Sequence, residues 1–382
     1  MYKNKLMIIA GEVSGDLHGA ALIRELRKLD SGMEFYGIGG NLMQKEGATL
    51  VQHLNRMAFL GFVEVIKHIP FIKKVQATLI KLIKEKKINT VVLIDYPGFN
   101  LNFAKKLNAI NLKIIYYISP QIWAWGKNRV SKIKQLINKM IVVFPFEKEI
   151  YEKAGVDVDY IGHPLLEIID NHNYLSKDEL YRKYELDFEK DILLIMPGSR
   201  RHEVEKIFPE TIIASEKICD DFNMQIVVST SQNINGELLF NIANKRNFKV
   251  ISGLTYDLMR NSKFGIIKSG TSTLEAAIFQ LPMVIVYKTS VPTYYIGRSL
   301  IKIDKIGMAN IILGEQVVPE LIQRNVSHRN IYDKSREILS NPALYDSIKK
   351  KLGLIKEKLD GDCASAKAAK IIFDMMNEIK KN

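Results

Sequence analysis

Residues 5–20 read KLMIIAGEVSGDLHGA. Lys5–Ala10 is an apolar run of strand length without polar alternation, so it reads as a strand covered on both faces, the condition of a parallel sheet. A loop of glycine, serine and acidic residues follows, and helical spacing sets in from about His18 to Leu29. The same order of signals recurs downstream. Strands are expected at 34–37, 91–94, 113–118, 139–144 and 158–161, with helices between several of them. The segment Leu165–Lys190 is polar and helical in pattern, and reads as a connector. The alternation then restarts with DILLIMPGSRRHEV at 191–204. Strands are expected at 192–196, 225–229, 264–267 and 283–286, and helices at about 203–219, 236–246 and 272–279. From about Ser327 only helical patterns remain, the last near Cys363–Lys380. The expected fold class is α/β, two tandem Rossmann-like lobes with a helical C-terminal tail. Ligands are expected in the crevice at the strand C-termini.

Length and charge narrow the function. At 382 residues, two domains are favoured over one core. No apolar run approaches the ~18–20 residues of a membrane span. The first apolar stretch ends at Gly11-Glu12, too short for a secretory leader. Cys219 and Cys363 are far apart and give neither a disulfide framework nor a zinc knuckle. A cytoplasmic protein is expected. The net charge is +13, and lysine outnumbers arginine heavily among the 55 basic residues. Lysine suits attraction to anionic surfaces better than bidentate base reading, so an anionic lipid surface is a better partner than nucleic acid. A solvated lysine-rich surface explains the charge as well. No nucleic-acid motif is present.

The familiar phosphate loops are missing. No G-x-G-x-x-G opens the first helix, and Gly37-Ile38-Gly39-Gly40 has Leu42 where the third glycine belongs. There is no G-x-x-x-x-G-K-[ST] either, so nicotinamide dehydrogenases and P-loop NTPases are disfavoured. Two Asp-x-Asp pairs occur, Asp157/Asp159 and Asp360/Asp362, which turn and cap chemistry accounts for. Neither a cofactor nor a metal is expected.

The chemistry rests on a few turns. Asp95 ends the apolar run 91–94 and precedes a Pro-Gly turn. A carboxylate at a buried strand end gains a raised pKa, as a general base requires, although an Asx-type turn former fits the position equally. Ser199 and Arg200 close the first strand of the second half, where backbone and guanidinium can meet a phosphate. Gly270 and Thr271 open a helix whose unpaired N–H groups favour an anion, and Glu275 one turn on can accept ribose hydroxyls. Basic-turn and capping roles remain open for both. Glu12 and Ser14 face the same crevice from the first half, unless they only shape the turn. His18 reads as a helix-start residue, and Trp123 and Trp125 as packing or a sugar platform.

Residues 60–87 combine apolar and basic character. Leu60–Ile66 is apolar, Ile69–Ile72 continues it, and seven lysines face one acid, Glu85, between 67 and 87. Phe71, Val75, Leu79 and Ile83 recur at the spacing of a core-facing helix. Val63, Val65, Ile66 and Ile69, flanked by lysine, also describe an interfacial patch.

Taken together, AGEVSGDLHGA (10–20), GIGGNLM (37–43), IDYPGFN (94–100), YISPQIWAW (117–125), FPFEKEIY (144–151), LIMPGSRRHEV (194–204), SGTSTLEAA (269–277) and VPELIQ (318–323) resemble the lipid-A-disaccharide synthase family along nearly the whole chain. The resemblance implies an inverting, metal-independent glycosyltransferase of the two-lobed GT-B type. It would join UDP-2,3-diacylglucosamine to 2,3-diacylglucosamine 1-phosphate, giving the β-1,6 disaccharide of lipid A and UDP. It puts the essential aspartate on Asp95 and the nucleotide-binding residues on Arg200 and Glu275, with Asn310 and Gln323 in matching donor-side segments. It puts a lipid-facing patch near Val63, Val65 and Ile66, on the cytoplasmic face of the inner membrane. The implied division is 1–165 for the acceptor and membrane, 166–355 for the UDP-sugar, and 356–382 as a helix packed on the first lobe or exchanged in a homodimer. Three positions depart from the family pattern: Gly98 where a second Asp is common, Lys268 where Ala is common, and Ala309 where Pro is common. Rival readings are another UDP-sugar enzyme, such as a 2-epimerase or a peptidoglycan-type transferase, and a lipid- or RNA-binding module.

Overall fold

The computed structural model describes residues 4–57, 68–120, 128–230, 234–244, 246–290, 294, 305–360 and 362–378. They form two compact units. The first holds residues 4–168 and 359–378, and the second holds 169–290 and 305–358.

In the first unit β1 (Lys5–Ala10), β2 (Glu34–Gly39), β3 (Thr49–His53), β4 (Thr90–Ile94), β5 (Lys113–Tyr117), β6 (Lys139–Val142) and β7 (Val158–Tyr160) form one sheet. Its order is β3-β2-β1-β4-β5-β6-β7, and every pair is parallel. Leu6 faces Thr90 and Ala10 faces Ile94, and the strand cores of β1 and β4 are fully buried. That burial on both faces is why these strands lack polar alternation. The helix Val13–Leu29 begins earlier than its spacing indicated. Gly15 and Gly19 look like loop residues, but they let the helix approach the sheet, because a Cβ on Gly15 would already press on Ala10 and one on Gly19 on Met43. His18 is therefore an interior helix residue, only 5% exposed, and burial pushes its imidazole down to about 4.

The helix Ile69–Lys86 buries Val75, Leu79 and Ile83 against the first core, with Phe71 and Ile72 packed partly on it. Its lysines 73, 74, 81, 84 and 86 are exposed, as is Ile69 at its start. Val63, Val65 and Ile66, like Trp123 and Trp125, lie outside the described residues. The last helix, Ala364–Glu378, packs on Val13–Leu29 and buries Ala368, Ala369, Ile372 and Met376. Its start is held by Glu167, whose two carboxylate oxygens accept from Ser365 N at 3.1 and 3.2 Å.

The second unit repeats the plan. β8 (Asp191–Met196), β9 (Met224–Thr230), β10 (Lys249–Ser252), β11 (Ser262–Lys268), β12 (Met283–Tyr287) and β13 (Glu320–Ile322) run in the order β10-β9-β8-β11-β12-β13, all parallel. In both sheets the first strand has neighbours on opposite sides, and the crossover direction reverses beside it. Such a switch point opens a gap between two loops at the strand C-termini, the place where open α/β sheets bind ligands.

Candidate active site

At the switch point of the first sheet, the loops after β1 and β4 lie side by side. They carry Glu12 and Asp95, and Ser14 follows in the first turn of the helix Val13–Leu29. Glu12 is the residue before the helix Val13–Leu29, and its carbonyl accepts from Asp16 N at 3.0 Å. Asp95 and Tyr96 both adopt left-handed backbone, with φ of 43° and 47°. Such residues cost of order 1–3 kcal/mol each and persist only when their surroundings over-determine them. Here the surroundings do so. The Asp95 carbonyl accepts from Asn100 Nδ2 at 2.7 Å and from the Tyr116 hydroxyl at 2.5 Å. The Tyr96 hydroxyl donates to Met57 O at 2.7 Å, and its ring stacks on Phe99. Gly11 must be glycine, since a Cβ there would overlap the Tyr96 ring.

The turn therefore fixes the Asp95 side chain on a rigid backbone. Burial, and then the charge of Glu12, push its carboxyl up to about 7, with the Tyr96 N–H pulling the other way. A carboxylate poised near neutrality, with a second acid beside it, can accept a proton from a hydroxyl at physiological pH. Gly98 is exposed and a Cβ there would meet nothing within 4 Å, so its lack of a carboxylate leaves the turn intact.

At the switch point of the second sheet, the loops after β8 and β11 carry the other candidates. Arg200 stands just before the helix Arg201–Phe222. Its Nη1 lies 3.5 Å from Glu203 Oε1, and Lys268 Nζ lies 2.8 Å from the same oxygen. Glu203 Oε2 accepts from Ser199 N at 3.2 Å. Burial alone would raise the Glu203 pKa, but Lys268 foremost and then Arg200 hold it below its ordinary value. Gly198, at φ 128°, makes room for this carboxylate. Sequence reading singled out neither Glu203 nor the role of Lys268.

The loop after β11 divides its polar groups. Ser269 Oγ donates to Ile306 O at 2.9 Å, and Thr273 Oγ1 donates to Gly270 O at 2.8 Å. These two fix the turn, while Gly270 and Thr271 at the start of the helix Thr271–Ile278 stay exposed. Burial pushes Glu275 up to about 7. The Tyr256 hydroxyl lies 3.3 Å from Glu275 Oε1 and orients it.

The profile of the family described as Lipid-A-disaccharide synthetase matches residues 6–372. The chain belongs to this family. A lipid-A-disaccharide synthase of Geobacter sulfurreducens is 38% identical over 378 residues, 98% of either chain. One from Coxiella burnetii (strain CbuK_Q154) is 33% identical over 377 residues, 98% of this chain and 100% of that one. Among solved structures, a UDP-GlcNAc 2-epimerase from Neisseria meningitidis bound to UDP-GlcNAc superposes with a TM-score of 0.67 at 13% identity, covering 98% and 100% of the two chains. The calicheamicin glycosyltransferase CalG4 gives 0.60 at 11%, covering 98% and 99%. At such identities the likeness is one of fold, the two-lobed GT-B class of Rossmann-like units.

Two residues suggested by the family resemblance do structural work here. Asn310 is fully buried, and its amide is saturated: Nδ2 donates to Val318 O and Glu320 Oε1, and Oδ1 accepts from Val317 N and Val318 N. Its side-chain donors and acceptors are all engaged within the fold. Gln323 spends its amide on both backbone groups of Thr289, at 2.7 and 3.3 Å, and so ties down the segment after β12. Asp157 and Asp159, expected as turn formers, instead clamp Lys139 Nζ at 2.6 and 2.8 Å. No group of three metal-ligating side chains occurs among the described residues.

Proposed function

We propose that this glycosyltransferase of lipid A disaccharide synthesis joins UDP-2,3-diacylglucosamine to 2,3-diacylglucosamine 1-phosphate with inversion, releasing UDP. Asp95 takes the proton from the acceptor hydroxyl as that oxygen attacks the anomeric carbon opposite the diphosphate. The bond to the diphosphate breaks as the new C–O bond forms, and UDP leaves with the electron pair. Arg200 and the N-terminus of the helix Thr271–Ile278 stabilise the charge that grows on the leaving group. Glu275 holds the ribose hydroxyls, while Glu12 and Ser14 border the acceptor. The observation that carries this reading is Asp95, held on a rigid turn and raised to about 7. Inversion needs no second carboxylate as nucleophile, so the open position at Gly98 is consistent with it.

Mass spectrometry of products from the two acylated substrates tests the reaction directly. The disaccharide 1-phosphate and UDP should form in equal amounts, and at full rate in EDTA. A sugar-nucleotide epimer as the product, or strict dependence on added Mg²⁺, would overturn it.

We also infer work at an anionic membrane surface, the cytoplasmic face of the inner membrane, because acylated substrates do not leave a bilayer readily. No described helix is long and apolar enough to cross a membrane. Ile69, 40% exposed beside its lysines, supports a docking patch with Val63, Val65 and Ile66. Vesicle binding should weaken with salt without vanishing, since only the lysine part is screened. Ile69→Ser should lower it and leave thermal stability unchanged; binding equal to the parent would return the segment to a purely structural role. A homodimer by exchange of the helix Ala364–Glu378 belongs to the same proposal, since the contacts that helix makes on Val13–Leu29 can form between two copies.

A further inference from the structure

We propose that His172 is a positioning residue for Glu275, acting through the ring of Tyr256. The inference rests on the donor-site reading above, in which Glu275 holds the ribose hydroxyls.

A carboxylate that must meet hydroxyls at a fixed place needs its rotamer set by a neighbour. Tyr256 is such a neighbour, its hydroxyl 3.3 Å from Glu275 Oε1. Hydrogen bonds between two oxygens are normally shorter, about 2.7–2.8 Å, so a small tilt of the ring would break this one. What holds the ring therefore decides where the carboxylate points. Four aromatic rings close on one another here. Tyr256 meets His172 edge-on at 5.3 Å between centroids, and Phe279 at 5.9 Å. Tyr174 completes the circuit, 4.7 Å from His172 and 6.2 Å from Phe279. Phe279 follows Glu275 by one helical turn, and its N–H donates to the Glu275 carbonyl at 3.2 Å. The box thus fixes Tyr256 relative to the backbone that carries the acid.

His172 is the member of the box that a carboxylate orients. Asp257, fully buried, accepts from His172 Nε2 at 2.9 Å and from Leu175 N at 2.7 Å. Burying a carboxylate costs free energy, and packing alone would be served by a phenyl ring without one. The pair does what packing cannot. It fixes the rotation of the imidazole, and with it the edge presented to Tyr256. Tyr256 and Asp257 are consecutive on the helix Thr255–Asn261. The group that turns the imidazole and the ring that the imidazole meets therefore share one backbone. On the far side Tyr174 is pinned by its own hydroxyl, which donates to Ile169 O at 2.8 Å, and Arg260 lies over its ring at 4.7 Å. Arg260, Asp257 and Asp170 all act on that phenol electrostatically, and each stays in place in the variants below.

The pH dependence of uridine affinity, read by titration calorimetry, separates this role from a merely structural one. Burial raises the Glu275 carboxyl to about 7, and the Tyr256 hydrogen bond opposes that rise. Losing the bond must then raise the carboxyl further and carry the midpoint of uridine binding to higher pH. Tyr256→Phe keeps the ring and drops the hydroxyl, so it should move the midpoint up by about one pH unit, the scale of a lost hydrogen bond to a charged group. His172→Gln keeps a donor for Asp257 and loses the ring, and should move the midpoint in the same direction. The double variant should go no further than Tyr256→Phe alone, because both act through one bond. In the parent, saturating uridine should slow carbethoxylation of His172, read by peptide mass spectrometry, and in Tyr256→Phe it should not. That comparison stands even where His172→Gln fails to fold. An unmoved midpoint in either single variant, shifts that add in the double variant, or carbethoxylation that responds alike in parent and Tyr256→Phe overturns the inference and leaves the donor site standing. Uridine affinity and pH dependence unchanged in Glu275→Ala would remove both.

Discussion

Asp95→Asn should lower turnover at least ~10²-fold, the scale of a general base, while UDP affinity stays unchanged. The pH dependence supplies a sharper signature. Only the ionised carboxylate accepts a proton, and its pKa is raised to about 7. In the parent enzyme kcat/KM should fall ~10-fold for each pH unit below that point, and the residual rate of Asp95→Asn should show no such limb. Stability should respond in the opposite sense. In the unfolded chain this carboxyl ionises near ~4, so the fold binds its proton more tightly than the unfolded state does. Its contribution to stability is fully present below that pH and is lost as pH rises through about 7. The asparagine variant lacks this penalty. At pH 8 it should be more stable than the parent by about 1–3 kcal/mol, discounted for the partial exposure of the site, and at pH 4 the two should melt together. Equal turnover, or equal melting at pH 8, would remove the base from Asp95.

Arg200→Ala should slow turnover ~10²–10³-fold, because the charge it meets grows as the diphosphate departs. Glu275→Ala should act differently. Its proposed partner is the ribose, so it should weaken UDP and uridine binding together and raise KM more than it lowers kcat. Burial raises the Glu275 carboxyl to about 7, and the ribose hydroxyls bond best to its ionised form. Uridine affinity of the parent should therefore rise with pH through that range, and the alanine variant should lose the rise. Calorimetry across pH 5.5 to 8.5 checks both, and a variant that separates UDP from uridine would reassign Glu275 to the phosphates.

The legible parts of this molecule were those whose cause is local. β1, β4, β8 and β11 lie inside their sheets and carry continuous apolar runs, so they read clearly. β3, β10 and β13 sit at sheet edges, and each is short and only partly buried, as the pattern over Thr49–His53 shows. Half-covered strands lose the apolar signal, and all three escaped notice. Asp95, Arg200 and the Ser-Gly-Thr turn were visible because strand ends and helix starts have their own chemistry. The Glu203–Lys268 pair was not, since its members come from different strand–helix units and meet only when β8 and β11 align. The partners of Asn310 were hidden for a related reason: the sequence offers an amide near the donor segments, and only folding reveals that Val317, Val318 and Glu320 engage it.

The helix Ala364–Glu378 belongs to the first unit, although the whole second unit precedes it in the chain. A ribosome therefore releases the β1–β7 sheet long before the piece that covers the helix Val13–Leu29 exists. Until then Ala368, Ala369, Ile372 and Met376, buried in the finished protein, are not there to pack on that helix. The second unit ends at Lys358 and is free to mature on its own. The first must wait, and during that wait it is exposed to self-association or to chaperone capture. The order of assembly thus runs against the order of synthesis, and the lobe carrying Asp95 is the last to become complete.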